Sequence, residues 1–248
     1  MGIESALLRR MQSSPPILST APWQAAPGRL PAGLRVYAIG DVHGCAGRLA
    51  TLHARIAADW AAEPAPQALV IHLGDYVDRG TDTPGVLRLV AGPPPIPGAR
   101  SVVLRGNHEA MMLDALAPGA SPATQALWQA NGGRATMLSY GGTVPREDIA
   151  LLEGMGLSCR EGDYLFVHAG IDPREPLDIQ DEHEMLWIRE PFLSWPKRLG
   201  FVVVHGHTPA PAPEVRAHRI GIDTGAVGGG PLTCLVLQDD CLRFITDR

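Results

Sequence analysis

Five short apolar runs punctuate the chain, and each ends in polar groups able to bind a metal. Leu34–Ile39 leads into Gly40-Asp41-Val42-His43-Gly44, and the stretch from Leu69 leads into Gly74-Asp75-Tyr76-Val77-Asp78-Arg79-Gly80. Val102–Leu104 leads, through Arg105, into Gly106-Asn107-His108-Glu109. Leu165–Val167 leads into His168-Ala169-Gly170, and Phe201–Val204 into His205-Gly206-His207-Thr208. Apolar runs of this length read as buried strands, with the polar groups at their carboxyl ends, where open sheets carry chemistry.

Between the runs the period changes. Leu49, Leu52, Ile56 and Ala57 recur at helical spacing within Cys45–Trp60, and Pro64-Ala65-Pro66 closes that helix. Thr83–Val90 predicts a second helix, closed by Gly92 and three prolines, and Ala110–Leu116 a third. Residues 117–160 read as mostly helical, broken at Pro118-Gly119, Asn131-Gly132-Gly133 and Gly141-Gly142. Residues 172–200, with Trp187 and Trp195, read as a long irregular segment near the site. Ile220–Phe244 reads as strand, glycine-rich turn, strand. At the start, Met1–Arg10 is expected to form two helical turns, and Met11–Gly33, rich in proline, alanine and serine, an arm or linker lying over the surface, or a disordered stretch. The chain therefore divides into an arm, 1–33, and a catalytic domain, 34–248. Helices flanking two packed sheets are the expected α/β architecture.

Composition narrows the function classes. With 248 residues the chain is long enough for one large domain and its core. A formal charge of −5 leaves no basic footprint for nucleic acid. No apolar run approaches the roughly 20 residues of a membrane span. Arg9-Arg10 is followed by polar residues and prolines where a secretory signal would be apolar. Cys45, Cys159, Cys234 and Cys241 never form CxxC and read as reduced thiols. A cytoplasmic monomer is the expectation, with no nucleic-acid or membrane partner.

Asp41, His43, Asp75, Asn107, His168 and His207 supply three imidazoles, two carboxylates and an amide oxygen. This set is harder than a thiolate zinc site, and suits manganese, iron or zinc with water completing the shell. A carboxylate has two oxygens, so Asp75 is the natural group to bridge two ions, which would stand roughly 3.5–4 Å apart. Two such ions suit in-line hydrolysis of a phosphate ester. Arg79 and Arg189 can each grip phosphoryl oxygens as a planar fork, and Asn107 is also read as a phosphate contact. His108 follows Asn107 directly, so it points near the metals without binding them, and Asp78 can orient its ring. His53, His72, His183, His205 and His218 read as bystanders, and Trp187 and Trp195 as packing.

In this order GDVHG, GDYVDRG, RGNHE, HAG and GHT resemble the signatures of the phosphoprotein phosphatase family of metallophosphoesterases, over about Leu34 to Asp223. Within it the chain is similar to the short bacterial and lambda-phage serine/threonine phosphatases. The resemblance implies a four-layer α-β-β-α sandwich with two central mixed sheets, the calcineurin-like fold. It implies two divalent ions, most simply Mn2+: one on Asp41, His43 and Asp75, the other on Asp75, Asn107, His168 and His207. It also implies that His108, supported by Asp78, protonates the leaving alkoxide, that Arg79 and Arg189 hold the phosphate of a phosphoprotein or phosphopeptide, and that a metal-bridging hydroxide attacks directly without a phosphoenzyme. Two alternatives stand beside it. One is a symmetrical diadenosine tetraphosphate hydrolase, although those relatives typically carry GDLVARG and NHD where this chain has GDYVDRG and NHE. The other is a non-catalytic module that binds metal and phosphoprotein.

Overall fold

The computed structural model describes residues 21–248. The apolar runs are strands buried on both faces, which is why they read as continuous rather than alternating. In Leu34–Ile39, Tyr37 and Ile39 join a core shared with helices, while Val36 and Ala38 join a core shared with a second sheet.

In chain order the elements are β1 (Gln24–Ala25), β2 (Leu34–Ile39), α1 (Ala46–Ala62), β3 (Gln67–His72), α2 (Thr83–Ala91), β4 (Arg100–Val103) and α3 (Asn107–Leu116). Then come α4 (Pro122–Trp128), α5 (Arg134–Ser139), α6 (Arg146–Glu153), β5 (Ser158–Glu161), β6 (Tyr164–Val167) and α7 (Glu182–Trp187). The chain ends with β7 (Val202–His205), β8 (Glu214–Val215), β9 (Arg219–Gly221), β10 (Thr233–Gln238) and β11 (Cys241–Thr246). The first sheet runs β1-β11-β10-β2-β3-β4, with β2, β3 and β4 parallel and the remaining pairs antiparallel. The second runs β5-β6-β7-β9-β8, with β6, β7 and β9 parallel. All five motif-bearing strands thus lie in parallel blocks and release their motifs at carboxyl ends.

Three cores make the layers. Helices α1 to α3 pack on the outer face of the first sheet; Leu49, Leu52 and Ile56 of α1 meet Tyr37 and Val70 there. Leu69, Ile71, Leu235 and Leu237 face Tyr164, Phe166, Val204 and Ile220 between the sheets. Leu165, Val167 and Val203 face Ile188 and Phe192 outside the second sheet. The two-sheet sandwich agrees with the expected architecture, but its fourth layer is thin. The segment expected to be irregular, 172–200, covers the second sheet with only the short α7 and one turn of 3-10 helix at Leu177–Ile179.

The expected helices are present with shifted ends. The third begins at Asn107 rather than Ala110, because the Glu109 side chain caps it by accepting the Gly106 N–H at 2.8 Å. Residues 117–160 hold three helices as expected and then a strand, β5, that pattern reading missed. The C-terminal reading is corrected too. Ile220–Phe244 contains part of β9, then β10 and the start of β11, because Asp239, at φ 49°, turns the chain back after Gln238. The arm is corrected from residue 21 on: β1 pairs with β11, and Leu30 is buried between the sheets. The helical turns expected over 1–10 lie outside the described residues. No helix among the described residues is long and apolar enough to cross a membrane.

Candidate active site

Where the carboxyl ends of the two sheets meet, five loops converge. The backbone there departs from ordinary geometry. His43, Asp75, Asp78, Arg79 and His207 all have φ between 46° and 69°, a region that non-glycine residues rarely enter. Such conformations persist only where the surroundings over-determine them, and they cluster at functional sites. Val42 and His43 donate N–H groups to the Asp75 carbonyl at 3.0 and 2.8 Å, so the first two loops hold each other.

Asp75 is the centre. Its Oδ2 lies 3.4 Å from His43 Nε2 and its Oδ1 3.3 Å from His168 Nε2. Each oxygen therefore faces a different imidazole. Two compact groups of candidate ligand atoms result, His43-Asp75-His108 and Asp75-His168-His207, with Asp75 common to both. Asn107 joins the second: its Oδ1 is 2.9 Å from His168 Nε2 and 2.9 Å from His207 Nδ1. Asp41 stands beside both groups rather than within them. Its carboxylate accepts the His207 N–H at 3.0 Å and neighbours Asp223.

Burial decides the charge states. It pushes His43 down to about 4 and His207 to about 3, and lowers His168, so all three are neutral imidazoles near pH 7. Burial also raises Asp41 well above the carboxylate range, reinforced by Asp223 and then Asp75. Burial would raise Asp75 as well, but His168, His108 and His43 outweigh it and hold its carboxyl below the usual range.

These residues fit divalent ions. His168 Nδ1–H donates to the Leu73 carbonyl at 3.0 Å, so the Nε2 of the neutral ring is a bare lone pair. That lone pair faces two further acceptors, Asn107 Oδ1 and Asp75 Oδ1, with no proton to share among them. His207 Nε2 is buried without a partner. A cation between His168 Nε2, Asn107 Oδ1 and Asp75 Oδ1 satisfies all three, and it is His207 Nδ1, 2.9 Å from Asn107 Oδ1, that stands beside them. His43 is oriented in the same way, its Nδ1 donating to the Val77 carbonyl at 2.9 Å.

Beside the ligands sits an acid pair. His108 Nδ1 donates to Asp78 Oδ2 at 2.7 Å, and both side chains are buried. Burial pushes the His108 ring down, but Asp75 and then Asp78 outweigh it and raise its pKa above 6.5. Arg79 donates from Nη1 to His43 Nε2 and from Nη2 to His108 Nε2, both at 2.7 Å, which places its guanidinium inside the site. Arg189 is exposed; its charge lowers His168 and His207, so it stands at the mouth. Trp187 is nearer than its reading as packing implied: its ring is edge-on to His207 at 6.1 Å and stacked with His183 at 6.1 Å. Of the other bystander histidines, His53 and His72 pair in the core, and His205 and His218 pack on Phe192.

Two acids escaped the pattern. Glu109 is fully buried and accepts N–H groups from Gly106, Asp75, Tyr76 and Val77, which locks the central loop to α3. Its place at the third helical position after Gly106 was the available signal. Asp223, beside Asp41, follows Ile220–Ile222 just as the recognised acids follow their strands.

Comparison with known proteins agrees with this geometry. The family model for calcineurin-like phosphoesterases matches residues 34–229. Serine/threonine-protein phosphatase 1 of Salmonella typhimurium is 32% identical over 216 residues, covering 82% of this chain and 92% of that protein. The symmetrical bis(5'-nucleosyl)-tetraphosphatase of Methylococcus capsulatus is 36% identical over 144 residues, 56% of this chain and 44% of that protein. A crystal structure of a proposed diadenosine tetraphosphatase superposes with a TM-score of 0.62 at 24% identity, covering 87% of this chain and 98% of that one.

Proposed function

The chain belongs to the calcineurin-like phosphoesterase family, and on that premise we propose that it hydrolyses phosphoserine and phosphothreonine, with phosphotyrosine as a further substrate, in cytoplasmic proteins. The observation that carries this reading is the buried His108–Asp78 pair beside a carboxylate shared by two ligand groups. An alkoxide is a poor leaving group, and a protein phosphomonoester needs a proton donor more than an activated phosphoanhydride does. Near-complete coverage of the Salmonella serine/threonine phosphatase points the same way, whereas the tetraphosphatase match spans less than half of that relative. Four unpaired cysteines suit a reducing compartment.

His43, Asp75, Asn107, His168 and His207, with Asp41 alongside, would hold two divalent cations, Mn2+ being the proposed pair. When bound, such cations polarise the phosphoryl group and make water nucleophilic near neutral pH. The chain does the rest. Arg79 and, at the mouth, Arg189 hold the phosphoryl oxygens and orient the ester bond. Asp78 keeps the Nδ1 proton of His108 engaged, so Nε2 faces the site, where it accepts from Arg79 Nη2; once Arg79 turns to the phosphoryl oxygens, Nε2 is free to take a proton from solvent and pass it to the leaving oxygen. That transfer is worth about 10²–10⁴ in rate. The chain is proposed to act as a monomer, with no nucleic-acid or membrane partner.

Tetraphosphate hydrolysis is the second reading, favoured by the Methylococcus relative. Metal-stripped protein reloaded with Mn2+ and offered phosphopeptides and diadenosine tetraphosphate side by side separates the two. The expected outcome is a kcat/KM at least about tenfold higher on phosphopeptide. The reverse ratio overturns the proposal.

A further inference from the structure

The acid pair does not stand alone. Asp78 has no exposed surface, and of the donors to its carboxylate only His108 comes from the motif loops. The others come from one segment, the end of α4, the kink at 129–133 and α5. Trp128 Nε1 lies 3.0 Å from each Asp78 oxygen. The Thr136 hydroxyl donates to Asp78 Oδ1 at 2.7 Å and accepts the Asp78 N–H at 2.8 Å. The Gly132 carbonyl accepts the Arg79 N–H at 3.2 Å. This segment thus grips two consecutive residues held at φ 69° and 65°.

The grip needs its glycines. At Gly132, itself at φ 119°, a Cβ would stand 2.7 Å from Arg79 Cγ and 2.9 Å from Arg79 N. At Gly133 a Cβ would stand 2.5 Å from the Trp128 ring. The chain approaches the catalytic loop and folds over the indole only because both side chains are missing.

We propose that residues 128–136 form a clamp that positions the proton donor, with Trp128 and Thr136 as its positioning residues. A carboxylate only accepts hydrogen bonds; here Thr136 takes Oδ1 and Trp128 Nε1 spans both oxygens, which fixes the plane of the carboxylate. The remaining side of Oδ2 faces His108 Nδ1, so the imidazole has one orientation, with Nε2 toward the site. Through Gly132 the same segment fixes the backbone of Arg79. Neither Trp128 nor Thr136 touches substrate. Both act through Asp78, much as partners of metal-bound histidines orient those rings. The inference rests on the reading that His108 protonates the leaving group.

The test uses the Mn2+-loaded full chain. Turnover is measured on a phosphoserine peptide, which needs a proton on its leaving alkoxide, and on p-nitrophenyl phosphate, which needs it far less. Thr136→Val keeps the volume and loses the hydroxyl; Trp128→Phe keeps an aromatic ring and loses the N–H. Each is expected to lose about tenfold on the peptide and less than about threefold on the aryl ester, with metal content unchanged. Thr136→Ser restores the hydroxyl and is expected to recover most peptide turnover. If Thr136→Val fails to fold, Trp128→Phe and Thr136→Ser carry the comparison. Equal losses on both substrates, or Thr136→Ser no better than Thr136→Val, overturn the clamp. His108→Asn measured alongside separates the two ideas. If it shows the split while the clamp variants do not, the clamp alone falls; if it shows no split, the leaving-group reading falls and the clamp with it.

Discussion

At the scale of single residues, one buried glutamate holds the centre of the site. Glu109 accepts four backbone N–H groups at 2.8 to 3.1 Å, three of them from Asp75, Tyr76 and Val77 in the loop that carries Asp75. In Glu109→Gln the amide NH2 points at donors, and at least one buried N–H loses its partner. A destabilisation of about 2 kcal/mol is expected, because an orphaned buried donor costs about 1–3 kcal/mol. Urea unfolding of the metal-free protein measures it, so loss of metal cannot mimic the effect. A change below about 1 kcal/mol would show that the loop holds itself. The contrast with Asp75 explains what could be read in advance. That Asp41, Asp75, Asn107, His168 and His207 come close together could be read from the sequence because each follows an apolar run at once or within a few residues, and local order reveals such a position. Glu109, Trp128 and Thr136 act across 32 to 58 positions of chain, through left-handed turns and a kink that composition does not announce.

At the scale of elements, the strands were legible because both faces of each sheet are covered, so apolar runs are unbroken. The short edge strands β1, β5 and β8 were not, because edge pairing asks for little apolar sequence: β5 reads Ser-Cys-Arg-Glu and β8 Glu-Val. Nor was the contact between α1 and β3 predicted, where His53 and His72 bury their rings with Nε2 atoms 3.0 Å apart. One nitrogen must donate and the other accept, so at least one of the two rings must be neutral. Burial lowers His53 to about 4, and burial with the neighbouring His53 lowers His72 to about 3. Unfolded histidine titrates near 6.5 and so binds more protons than the folded pair below that pH. The stability this neutrality confers is therefore complete above pH 6.5 and declines as pH falls toward 4. His53→Phe removes one of the two groups, and its unfolding free energy should fall less steeply than the wild type's between pH 6.5 and 4.5. Denaturant melts across that range read the difference, and parallel pH profiles would show that the pair does not contribute to acid lability.

At the scale of the whole molecule, the candidate ligand set bridges two sheets that also share an apolar layer and polar contacts such as His168 to the Leu73 carbonyl and Arg100 to Glu161. Asp41, His43, Asp75 and Asn107 come from loops of the first sheet, and His168 and His207 from loops of the second. Asp75, with one oxygen toward His43 and the other toward His168, is where the halves meet. A cation held by both sheets binds the folded chain and not the unfolded one, so it stabilises by RT ln(1 + [L]/Kd), about 2.7 kcal/mol at a hundredfold excess over Kd. Metal-stripped protein should therefore gain several degrees in Tm on titration with Mn2+. Asp75→Asn keeps the shape and removes the shared charge, so it should lose most of that gain, together with metal content and turnover. His168→Gln withdraws a ligand of the second sheet alone and should lose part of the gain while retaining some bound metal. The metal-free melting temperatures of wild type and variants provide the baseline, since only the increment produced by Mn2+ reports the bridge. An increment as large in Asp75→Asn as in the wild type would show that the ions bind without Asp75, and that Asp75 does not tie the two sheets together through them.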